Sequence, residues 1–250
     1  MTAELSIILP CYNEGATLDT LVNGYLEHLN DREHCELVMV DNGSSDDTWG
    51  EMNEIVARHS STPIILVRVD VNQGYGHGLM QGLNAATGTI LSWSHADLQC
   101  PPDDVFKLYD EFRLSDNQEM TFGKGNRINE RGNASILTNV QTVLARLILG
   151  YNMTEINAQP KMFHKKFCDS WRVPPKGYEL DVYAYFQAMR QGLSIVSIDV
   201  NFLHRQEGES KWAYSLMSRF TAMAKSLRDC YWTKMHRVWL AFKRGCTREE

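Results

Sequence analysis

Three polar side chains follow a mainly apolar segment and have the chemistry of a metal or phosphate site. The segment spans residues 89–93, and His95, Asp97 and Gln99 come after it at alternate positions. In an extended strand successive side chains point to opposite faces, so these three would point the same way if the strand continued past Ser94. Imidazole, carboxylate and amide groups can hold a divalent cation. The sequence therefore predicts a ligand site here.

Two further polar segments follow apolar runs nearer the start of the chain. Residues 10–14 follow the run 5–9, and residues 41–46 follow the run 37–40. Asn, Asp and Ser also form turns and cap helices, so each segment alone could be turn chemistry. In α/β proteins, however, ligands bind outside the carboxyl ends of the strands. The three segments together favour a site at that edge of a sheet.

The order of the apolar patterns predicts an α/β fold with a mostly parallel central sheet flanked by helices. Short runs rich in Ile, Val and Leu predict buried strands over residues 5–9, 37–40, 64–69 and 89–93. Between them, helical spacing predicts helices over 16–29, from about 48, and over 102–113. Such alternation builds a parallel sheet through right-handed crossovers. Farther along we expect strands over 120–123, 161–164 and 194–200, and helices over 134–149 and 180–190.

Three glycines alternate in the segment after the third predicted strand. Gly74, Gly76 and Gly78 would let a ligand approach the backbone closely, because glycine has no Cβ. Their spacing is not that of the dinucleotide-binding motif G-x-G-x-x-G. The segment could therefore allow close approach of a ligand, but it does not indicate a dinucleotide site.

Composition indicates a globular protein with reduced thiols. With 43% hydrophobic residues, the 250-residue chain can bury a sizeable core. Its six cysteines include no C-x-x-C pair, which favours reduced thiols in the cytosol over a disulfide framework or a zinc site. No apolar run has the roughly 18 to 20 residues that span a bilayer, and residues 1–4 do not begin a secretion signal. We therefore expect a cytoplasmic protein.

The basic residues are concentrated in the last part of the chain. Residues 211–250 hold nine Lys and Arg against three acids, which leaves 16 against 28 in the remainder. From Trp212 onward, apolar residues recur at helical spacing among aromatic and basic ones. Aromatic rings and cations suit the interface of an anionic membrane. The alternative is a helix that packs on the protein's own core or on a second copy of the chain.

Six motifs occur in the order found in one enzyme family. They are residues 7–14 (IILPCYNE), 40–48 (VDNGSSDDT), 96–102 (ADLQCPP), 123–127 (GKGNR), 156–161 (INAQPK) and 204–211 (HRQEGESK). Over about residues 5–215 the chain resembles family 2 glycosyltransferases of the GT-A fold, in the dolichol-phosphate mannose synthase-like branch. The resemblance implies a Rossmann-like GT-A domain over 1–211, with a nucleotide-sugar half to about 125 and an acceptor half beyond it. A helical tail would occupy 212–250.

The resemblance implies a donor site for a nucleotide diphosphate sugar, with GDP or UDP as the nucleotide and a hexose as the sugar. Asp97 would be the second acid of a D-x-D motif that holds Mg2+ or Mn2+ against the donor diphosphate. Charge develops on the departing nucleoside diphosphate, and such a cation can neutralise it. The donor-binding residues implied are Pro10, Tyr12, Glu14, Asp41 and Asp97, and the metal ligands implied are Asp97, Gln99 and His95.

His95 stands where the family has its first acid. A neutral imidazole carries one negative charge fewer, so it predicts weaker metal affinity unless neighbouring acids compensate. If His95 coordinates the metal, it tilts the preference toward Mn2+. It could instead contact another part of the donor, or be a structural histidine at the end of the strand. Asn42, where many relatives carry another acid after Asp41, removes a second charge.

The resemblance also implies an acceptor site for the phosphate of a polyprenyl phosphate. The planar guanidinium of Arg can donate two parallel hydrogen bonds to a phosphate, and the ammonium of Lys adds a positive charge. An anionic phosphate needs little help from a base, whereas a sugar hydroxyl needs a carboxylate to take its proton. Glu179 and Asp181 are the candidate catalytic acids, with Glu155 as a second choice; either of the first two could instead cap a helix. The phosphate-binding residues implied are Arg127, Arg131, Ser135, Arg205 and Lys211.

We expect an inverting, metal-dependent hexosyltransferase with polyprenyl phosphate as its acceptor, in peripheral contact with the cytoplasmic face of a membrane. The alternative acceptor is a saccharide hydroxyl in surface glycan or lipopolysaccharide assembly. An alternative of another class is a nucleotide-sugar binding protein that has lost catalysis through His95. No nucleic acid is expected as a partner, and a homo-oligomer is left open.

Overall fold

The computed structural model describes residues 3–30, 32, 34–128, 143, 146–147, 149–203, 228 and 231. In this part of the chain strands and helices alternate, as the apolar pattern predicts. The strands are β1 (Leu5–Cys11), β2 (Cys35–Asn42), β3 (Ile64–Val69), β4 (Ile90–Trp93), β5 (Thr121–Arg127), β6 (Lys161–His164) and β7 (Ser194–Val200). The helices are α1 (Gly15–Leu29), α2 (Thr48–Arg58), α3 (Tyr75–Ala85), α4 (Pro102–Arg113), α5 (Lys165–Asp169) and α6 (Glu179–Gln191), and a short 3-10 helix spans Gln118–Met120.

These strands form one seven-stranded sheet in the order β3-β2-β1-β4-β6-β5-β7. Neighbouring strands are parallel except at β6, which runs antiparallel to both β4 and β5. The strand order changes direction at β1, because β2 lies on one side of it and β4 on the other. At such a point the loops that leave neighbouring strands diverge and open a crevice. The predicted α/β fold with a mostly parallel sheet is confirmed.

Two apolar cores cover the two faces of the sheet. Along β1, Leu5, Ile7 and Leu9 face one core and Ile8 faces the other, as expected for alternating side chains. The first of these cores includes side chains of α1, α2 and α4, and the second includes side chains of α3, α5 and α6. Because both faces are covered, the central strands are largely apolar, which explains why the sequence reveals them.

The predicted strands agree with the structure, and β3, β6 and β7 agree residue for residue. Strand β1 continues to Cys11 and β2 to Asn42, beyond the apolar runs that predict them. Helix α3 is absent from the sequence prediction, since its glycines lower the helix propensity. The predicted helix over 134–149 and tail over 212–250 lie almost entirely outside the described residues, and the division at residue 211 stays a prediction.

Neither a disulfide nor a membrane span interrupts this fold within the residues that the structure describes. The cysteines described there, Cys11, Cys35, Cys100 and Cys168, are free and buried. Burial raises the pKa of the Cys35 thiol to about 11, so this thiol stays protonated at neutral pH. Over the same residues, no helix combines the length and the apolar character needed to cross a bilayer.

Helix α3 rests directly on the sheet through a glycine. A Cβ on Gly82 would lie 2.5 Å from Ile8 Cγ2 and 2.8 Å from Val40 Cγ2. Carbon atoms in contact are normally separated by about 3.5–4.0 Å. The position therefore excludes a side chain, and the contact sets how closely α3 approaches β1 and β2.

Replacement of Gly82 by alanine tests this contact. Gly82→Ala should lower the free energy of unfolding by about 1–3 kcal/mol through overpacking, although alanine favours a helix more than glycine does. The control is Asn84→Ala at an exposed position of the same helix, which should leave stability unchanged or slightly higher. Urea unfolding measures both variants. A Gly82→Ala protein as stable as the wild type would show that α3 does not pack as described.

Candidate active site

Hydrogen bonds join the loops that leave β1 and β2. The backbone N–H of Asn13 donates to Ser44 Oγ at 3.0 Å, and the N–H of Ser45 donates to Asn13 Oδ1 at 2.8 Å. Asn13 has a φ of 57°, a left-handed conformation that asparagine tolerates better than most residues. The two polar segments predicted from the sequence therefore lie side by side at the carboxyl edge of the sheet.

A second set of hydrogen bonds fixes the starts of α1 and α2. The N–H of Glu14 donates to Thr48 Oγ1 at 3.0 Å, and the Thr48 hydroxyl donates to Asp46 Oδ1 at 2.6 Å. The other carboxylate oxygen of Asp46 accepts a hydrogen bond from the N–H of Gly15 at 3.4 Å. Asp46 is thus a structural carboxylate. The segment it helps to fix carries the predicted donor residues Pro10, Tyr12 and Glu14.

Asp41 lies at the carboxyl end of β2 with its side chain buried. Its Oδ1 accepts a hydrogen bond from the N–H of Ser44 at 2.9 Å. Arg68 Nε lies 3.7 Å from Oδ2, and the Arg68 guanidinium lies 5.2 Å from the centre of the Trp49 ring. The carboxylate is therefore fixed in direction by two neighbours. The predicted hydrogen bond to Asp41 from the base of a nucleotide stays a prediction.

The segment after β4 is a turn and not an extended strand. Strand β4 ends at Trp93, and Leu98 adopts a φ of 57°. Asp97 Oδ1 accepts a hydrogen bond from the N–H of Gln99 at 3.2 Å, as in an Asx turn. The strand ends at Trp93 as predicted, so the condition under which the three side chains would point the same way is not met. The turn, and not strand alternation, sets the directions of the side chains of His95, Asp97 and Gln99.

Gln99 binds the chain segment that follows β7. Its side-chain Nε2 donates to the carbonyl of Leu203 at 3.0 Å, and its own carbonyl accepts a hydrogen bond from the N–H of Leu203 at 2.9 Å. These bonds bring the residue before the 204–211 motif next to the loop of Asp97. The role of Gln99 as a metal ligand stays a prediction.

His95 lies among aromatic rings, and its role as a metal ligand also stays a prediction. Its ring centroid is 5.8 Å from that of Tyr75 and 6.4 Å from that of Phe202. Within the described residues, no group of three or more His, Cys, Asp or Glu side chains could hold a metal ion. Asp97 is partly exposed, and Mg2+ accepts one carboxylate together with the phosphate oxygens of a substrate. The residues present therefore fit a cation that is bound jointly with a diphosphate.

Asp181 connects the end of β4 to the opposite side of the crevice. Its side chain is buried in the first turn of α6. Its Oδ1 accepts hydrogen bonds from Trp93 Nε1 at 3.1 Å and from Gln159 Nε2 at 2.8 Å. These two donors hold the carboxylate of Asp181 at the end of the strand that precedes Asp97.

Glu179, the second candidate acid, is buried two residues earlier in the same turn. A Cβ on Gly177 would collide with its carboxylate, so the two residues are closely packed. The N-cap of α6 is Tyr178, which makes no side-chain capping hydrogen bond. Capping from the N-cap position therefore does not account for Glu179 or Asp181.

Arg127 is the predicted phosphate-binding residue that lies within the described residues. Its Nε is 2.8 Å from Glu155 Oε2, and its guanidinium lies 5.7 Å from the centre of the Phe202 ring. Its side chain is 9% exposed, and Nη2 has no hydrogen-bond partner among the residues described. The guanidinium therefore keeps an N–H group for an anion. The other predicted phosphate ligands, Arg131, Ser135, Arg205 and Lys211, lie outside the described residues.

Two buried lysines lie on neighbouring strands of this region. Lys124 on β5 and Lys161 on β6 are directly opposite each other, and both are almost completely buried. Burial lowers the pKa of Lys124 to about 8 and the pKa of Lys161 to about 7. Sequence reasoning gives neither lysine a role, although a lysine within a short apolar strand is the signal that could have drawn attention to them.

Lys161 fixes the turn that precedes β6. Its Nζ donates to the carbonyl of Ile156 at 2.8 Å and to the carbonyl of Ala158 at 2.5 Å. The same turn carries Glu155, the partner of Arg127, and Gln159, the partner of Asp181. The buried amine therefore stabilises the turn that positions the Arg127–Glu155 and Gln159–Asp181 contacts.

The glycines of α3 allow other parts of the chain to pack directly against the helix backbone. A Cβ on Gly76 would lie 2.5 Å from the carbonyl oxygen of Pro175, and one on Gly78 would collide with the side chain of Asn42. The carbonyl of Lys176 accepts a hydrogen bond from the N–H of His77 at 2.9 Å. The expectation that a ligand approaches the backbone here is wrong, because Asn42 and residues 175–177 occupy that space.

Comparison with known protein families identifies the fold and its family. A model of glycosyl transferase family 2 matches residues 6–168, which is more than half of the chain. The chain belongs to glycosyltransferase family 2. The matched region begins one residue into β1, continues through β6 and includes the loops of Asp41 and Asp97.

Several curated relatives of this family 2 protein have a polyprenyl phosphate in their names. An undecaprenyl-phosphate 4-deoxy-4-formamido-L-arabinose transferase of Proteus mirabilis is 25% identical over 84% of this chain and 63% of its own length. The enzyme of the same name from Pseudomonas savastanoi pv. phaseolicola is 35% identical over 42% of this chain and 31% of its own length. Dolichol-phosphate mannosyltransferase of Pyrococcus furiosus is 30% identical over 44% of this chain and 30% of its own length. The chain spans less than two thirds of each relative. The predicted relationship is confirmed.

Solved structures agree with the predicted GT-A fold. Glucosyl-3-phosphoglycerate synthase from Mycobacterium tuberculosis, in complex with Mn2+, UDP and glucosyl-3-phosphoglycerate, has a TM-score of 0.68 at 22% identity. The match covers 92% of this chain and 79% of that one. Another structure of the same enzyme holds Mg2+ and UDP. At this level of identity the similarity establishes the fold.

The buried amine of Lys161 predicts how stability changes with pH. Its pKa is about 7 in the folded protein, whereas an exposed lysine has a pKa of about 10.4. Between these values the unfolded chain binds more protons, so this group makes the free energy of unfolding rise as the pH increases. Lys161→Met should therefore flatten the increase in stability from pH 7 to pH 9. Urea titrations at the two pH values measure the difference.

The control for this experiment is Lys166→Met, which removes an exposed lysine that pairs with Glu119. It should leave the pH dependence close to that of the wild type. The same slope in the wild type and in Lys161→Met would contradict the account of a buried amine with a lowered pKa.

Proposed function

We propose that this protein is an inverting, metal-dependent glycosyltransferase that moves a hexose from a nucleotide diphosphate sugar to polyprenyl phosphate. The observation that carries the proposal is the contact of residues 202–203 with both sides of the crevice. Leu203 is hydrogen-bonded to Gln99 beside the loop of Asp97, and Phe202 lies between His95 and the guanidinium of Arg127. Residues 202–203 therefore link the loop that carries Asp97 to the arginine proposed to bind phosphate.

On the donor side, Pro10, Tyr12, Glu14 and Asp41 would line the nucleotide. Asp97, with His95 and Gln99 beside it, would hold Mg2+ or Mn2+ together with the diphosphate. The cation would neutralise the charge that develops on the leaving nucleoside diphosphate. The buried Asp41 carboxylate is directed by Ser44 and Arg68 and would accept a hydrogen bond from the base.

On the acceptor side, Arg127 would bind the lipid phosphate. The phosphate would take over the guanidinium N–H groups from Glu155, or share them with it, because Arg and phosphate form charge-assisted hydrogen bonds in a matching geometry. We propose Arg131, Ser135, Arg205 and Lys211 as its further ligands. Undecaprenyl phosphate and dolichol phosphate appear in the names of the relatives, which supports a lipid phosphate as the acceptor class.

The proposed reaction is a single displacement. A phosphate oxygen of the acceptor forms a bond to the anomeric carbon as the bond to the donor diphosphate breaks, and the nucleoside diphosphate leaves with the electron pair. Attack from the side opposite the leaving group inverts the anomeric configuration. Because the attacking phosphate is already anionic, no proton has to be removed from it.

A coupled assay tests the proposal with the full chain. The protein, Mn2+ and a panel of UDP- and GDP-hexoses are incubated with and without undecaprenyl phosphate in detergent micelles, and released nucleoside diphosphate is measured. Release that depends on undecaprenyl phosphate is expected. Release that occurs only in a parallel reaction, with a saccharide in place of undecaprenyl phosphate, would favour the hydroxyl acceptor. Tight nucleotide binding without turnover of any acceptor would favour a binding protein.

Asp181→Asn distinguishes the two acceptor classes. Asparagine keeps an oxygen for the hydrogen bonds from Trp93 and Gln159 and removes the negative charge. With a phosphate acceptor, turnover should fall by less than about tenfold. With a hydroxyl acceptor, loss of the general base should lower turnover by about 100- to 10,000-fold. The buried carboxylate of Asp181 is the observation that favours the second candidate.

The control for Asp181→Asn is Asp103→Asn. Asp103 lies on the first turn of α4, and its exposed carboxylate pairs with His28. It should leave turnover unchanged. A loss of about 100-fold or more in Asp181→Asn with undecaprenyl phosphate as acceptor would contradict the mechanism without a base.

Replacement of His95 tests the metal site. His95→Asp adds a negative charge beside Asp97, so it should tighten Mn2+-dependent binding of UDP if His95 faces the metal. Isothermal titration with UDP in the presence and absence of Mn2+ measures the change. His95→Asn, which adds no charge, is the matched control and should not tighten binding. Equal affinity of the wild type and His95→Asp would remove His95 from the metal site.

We also propose peripheral contact of residues 212–250 with the anionic cytoplasmic face of a membrane. The excess of basic residues in this segment supports the proposal, and clustered cations are attracted to anionic lipid. In a flotation assay at low salt, the full chain should float with anionic liposomes and not with neutral ones. Protein that stays at the bottom of the gradient with both would contradict the contact.

A further inference from the structure

Tyr75 lies between the two sides of the crevice. It is the first residue of α3, and its ring centroid is 5.8 Å from that of His95 on the donor side. On its other side the ring contacts Tyr178, the N-cap of α6, and the first turn of α6 carries Asp181. The ring of Tyr75 therefore contacts His95 on the donor side and the start of the helix that carries the candidate acid of the acceptor side.

The ring of Tyr75 is fixed by its neighbours before any ligand binds. It stacks on Tyr178 with the ring centroids 5.0 Å apart and the planes 13° from parallel. The backbone on either side of it is held against residues 175–177, where a Cβ on Gly74 or Gly76 would meet carbonyl oxygens. Gly74 itself has a φ of 117°, which glycine adopts without strain. The position of the phenol is thus set by tertiary packing.

The hydroxyl of Tyr75 is enclosed and makes no hydrogen bond to any of the residues described. Buried polar groups in proteins are nearly always hydrogen-bonded, so an enclosed hydroxyl without a partner needs an explanation. A tyrosine hydroxyl, with an ordinary pKa of about 10, carries its proton at neutral pH. It can therefore donate a hydrogen bond to a ligand.

We propose that the hydroxyl of Tyr75 donates a hydrogen bond to a hydroxyl oxygen of the sugar that is transferred, and so helps to select that sugar. This inference rests on the proposed function. The sugar must lie between the donor diphosphate, beside Asp97, and the acceptor, beside Arg127 and Asp181. Tyr75 has the same intermediate position. A site built to hydrogen-bond a substrate hydroxyl discriminates strongly against sugars that lack it.

Tyr75→Phe tests the inference, because phenylalanine keeps the ring and its stacking and removes only the hydroxyl. Isothermal titration in the presence of Mn2+ compares the variant with the wild type. The ligands are the nucleotide sugar that the wild type binds best, from UDP-glucose, UDP-galactose and GDP-mannose, and the matching nucleoside diphosphate. Affinity for the nucleotide sugar should fall about 3- to 10-fold, the effect of one neutral hydrogen bond. Affinity for the nucleoside diphosphate should not change.

The control is Tyr109→Phe, on α4 beside Arg32 and Arg113, which should bind both ligands as the wild type does. Thermal unfolding should give Tyr75→Phe a midpoint no lower than that of the wild type. Unchanged binding of the nucleotide sugar by Tyr75→Phe would overturn the role of Tyr75 alone. An equal loss for both ligands would overturn the assignment to the sugar. A wild type that binds none of the nucleotide sugars would overturn the proposed function, and the role of Tyr75 with it.

Discussion

The rest of the crevice depends on the hydrogen bonds that satisfy the buried carboxylate of Asp181. Taking a carboxylate out of water costs several kcal/mol unless its oxygens are bonded. Trp93 and Gln159 each donate to Oδ1, and hydrogen bonds to a charged group contribute about 1.5–3 kcal/mol each. The start of α6, where Asp181 lies, adds the favourable end of a helix dipole. One carboxylate therefore joins β4, the turn before β6 and α6.

That junction connects the two sides of the crevice. Trp93 ends β4 and leads into the loop of Asp97, while Gln159 belongs to the turn that carries Glu155 to Arg127. The amine of Lys161 holds this turn by its carbonyl oxygens and is itself removed from water. The polar groups thus support one another, and each is satisfied only when its neighbours are in place. Such mutual dependence fixes the loop of Asp97 relative to Arg127, the residues that we propose for the metal diphosphate and for the acceptor phosphate.

Much of the fold could be predicted from the sequence because the sheet is covered on both faces. The central strands β1 and β2 are buried at almost every position, so continuous apolar runs reveal them in the sequence. The antiparallel direction of β6 leaves no comparable mark, since a four-residue strand looks the same in either direction. Helix α3 is hidden by its glycines, whose purpose is visible only once Asn42 and residues 175–177 are seen to pack against them.

Part of the candidate site could likewise be predicted from the sequence, and part could not. Asp97 and Arg127 belong to local motifs of the sequence, and the resemblance to the family singles out Asp181. The turn after β4 could not be predicted, because the bonds from Gln99 to Leu203 join residues that are far apart in the chain. Tyr75 was missed for the same reason. Its position depends on Tyr178 and on the segment before it, which are distant in sequence and adjacent in the fold.

The central claim, that sugar passes across this crevice to a lipid phosphate, is tested most directly by 31P NMR of the reaction mixture. The full chain is incubated with Mn2+, undecaprenyl phosphate and the nucleotide sugar that it binds best. The account predicts that the phosphomonoester signal of the lipid is replaced by a sugar phosphodiester signal, with the anomeric configuration of the sugar inverted relative to the donor. An unchanged phosphomonoester signal while the donor is consumed, or a product with retained configuration, would contradict it.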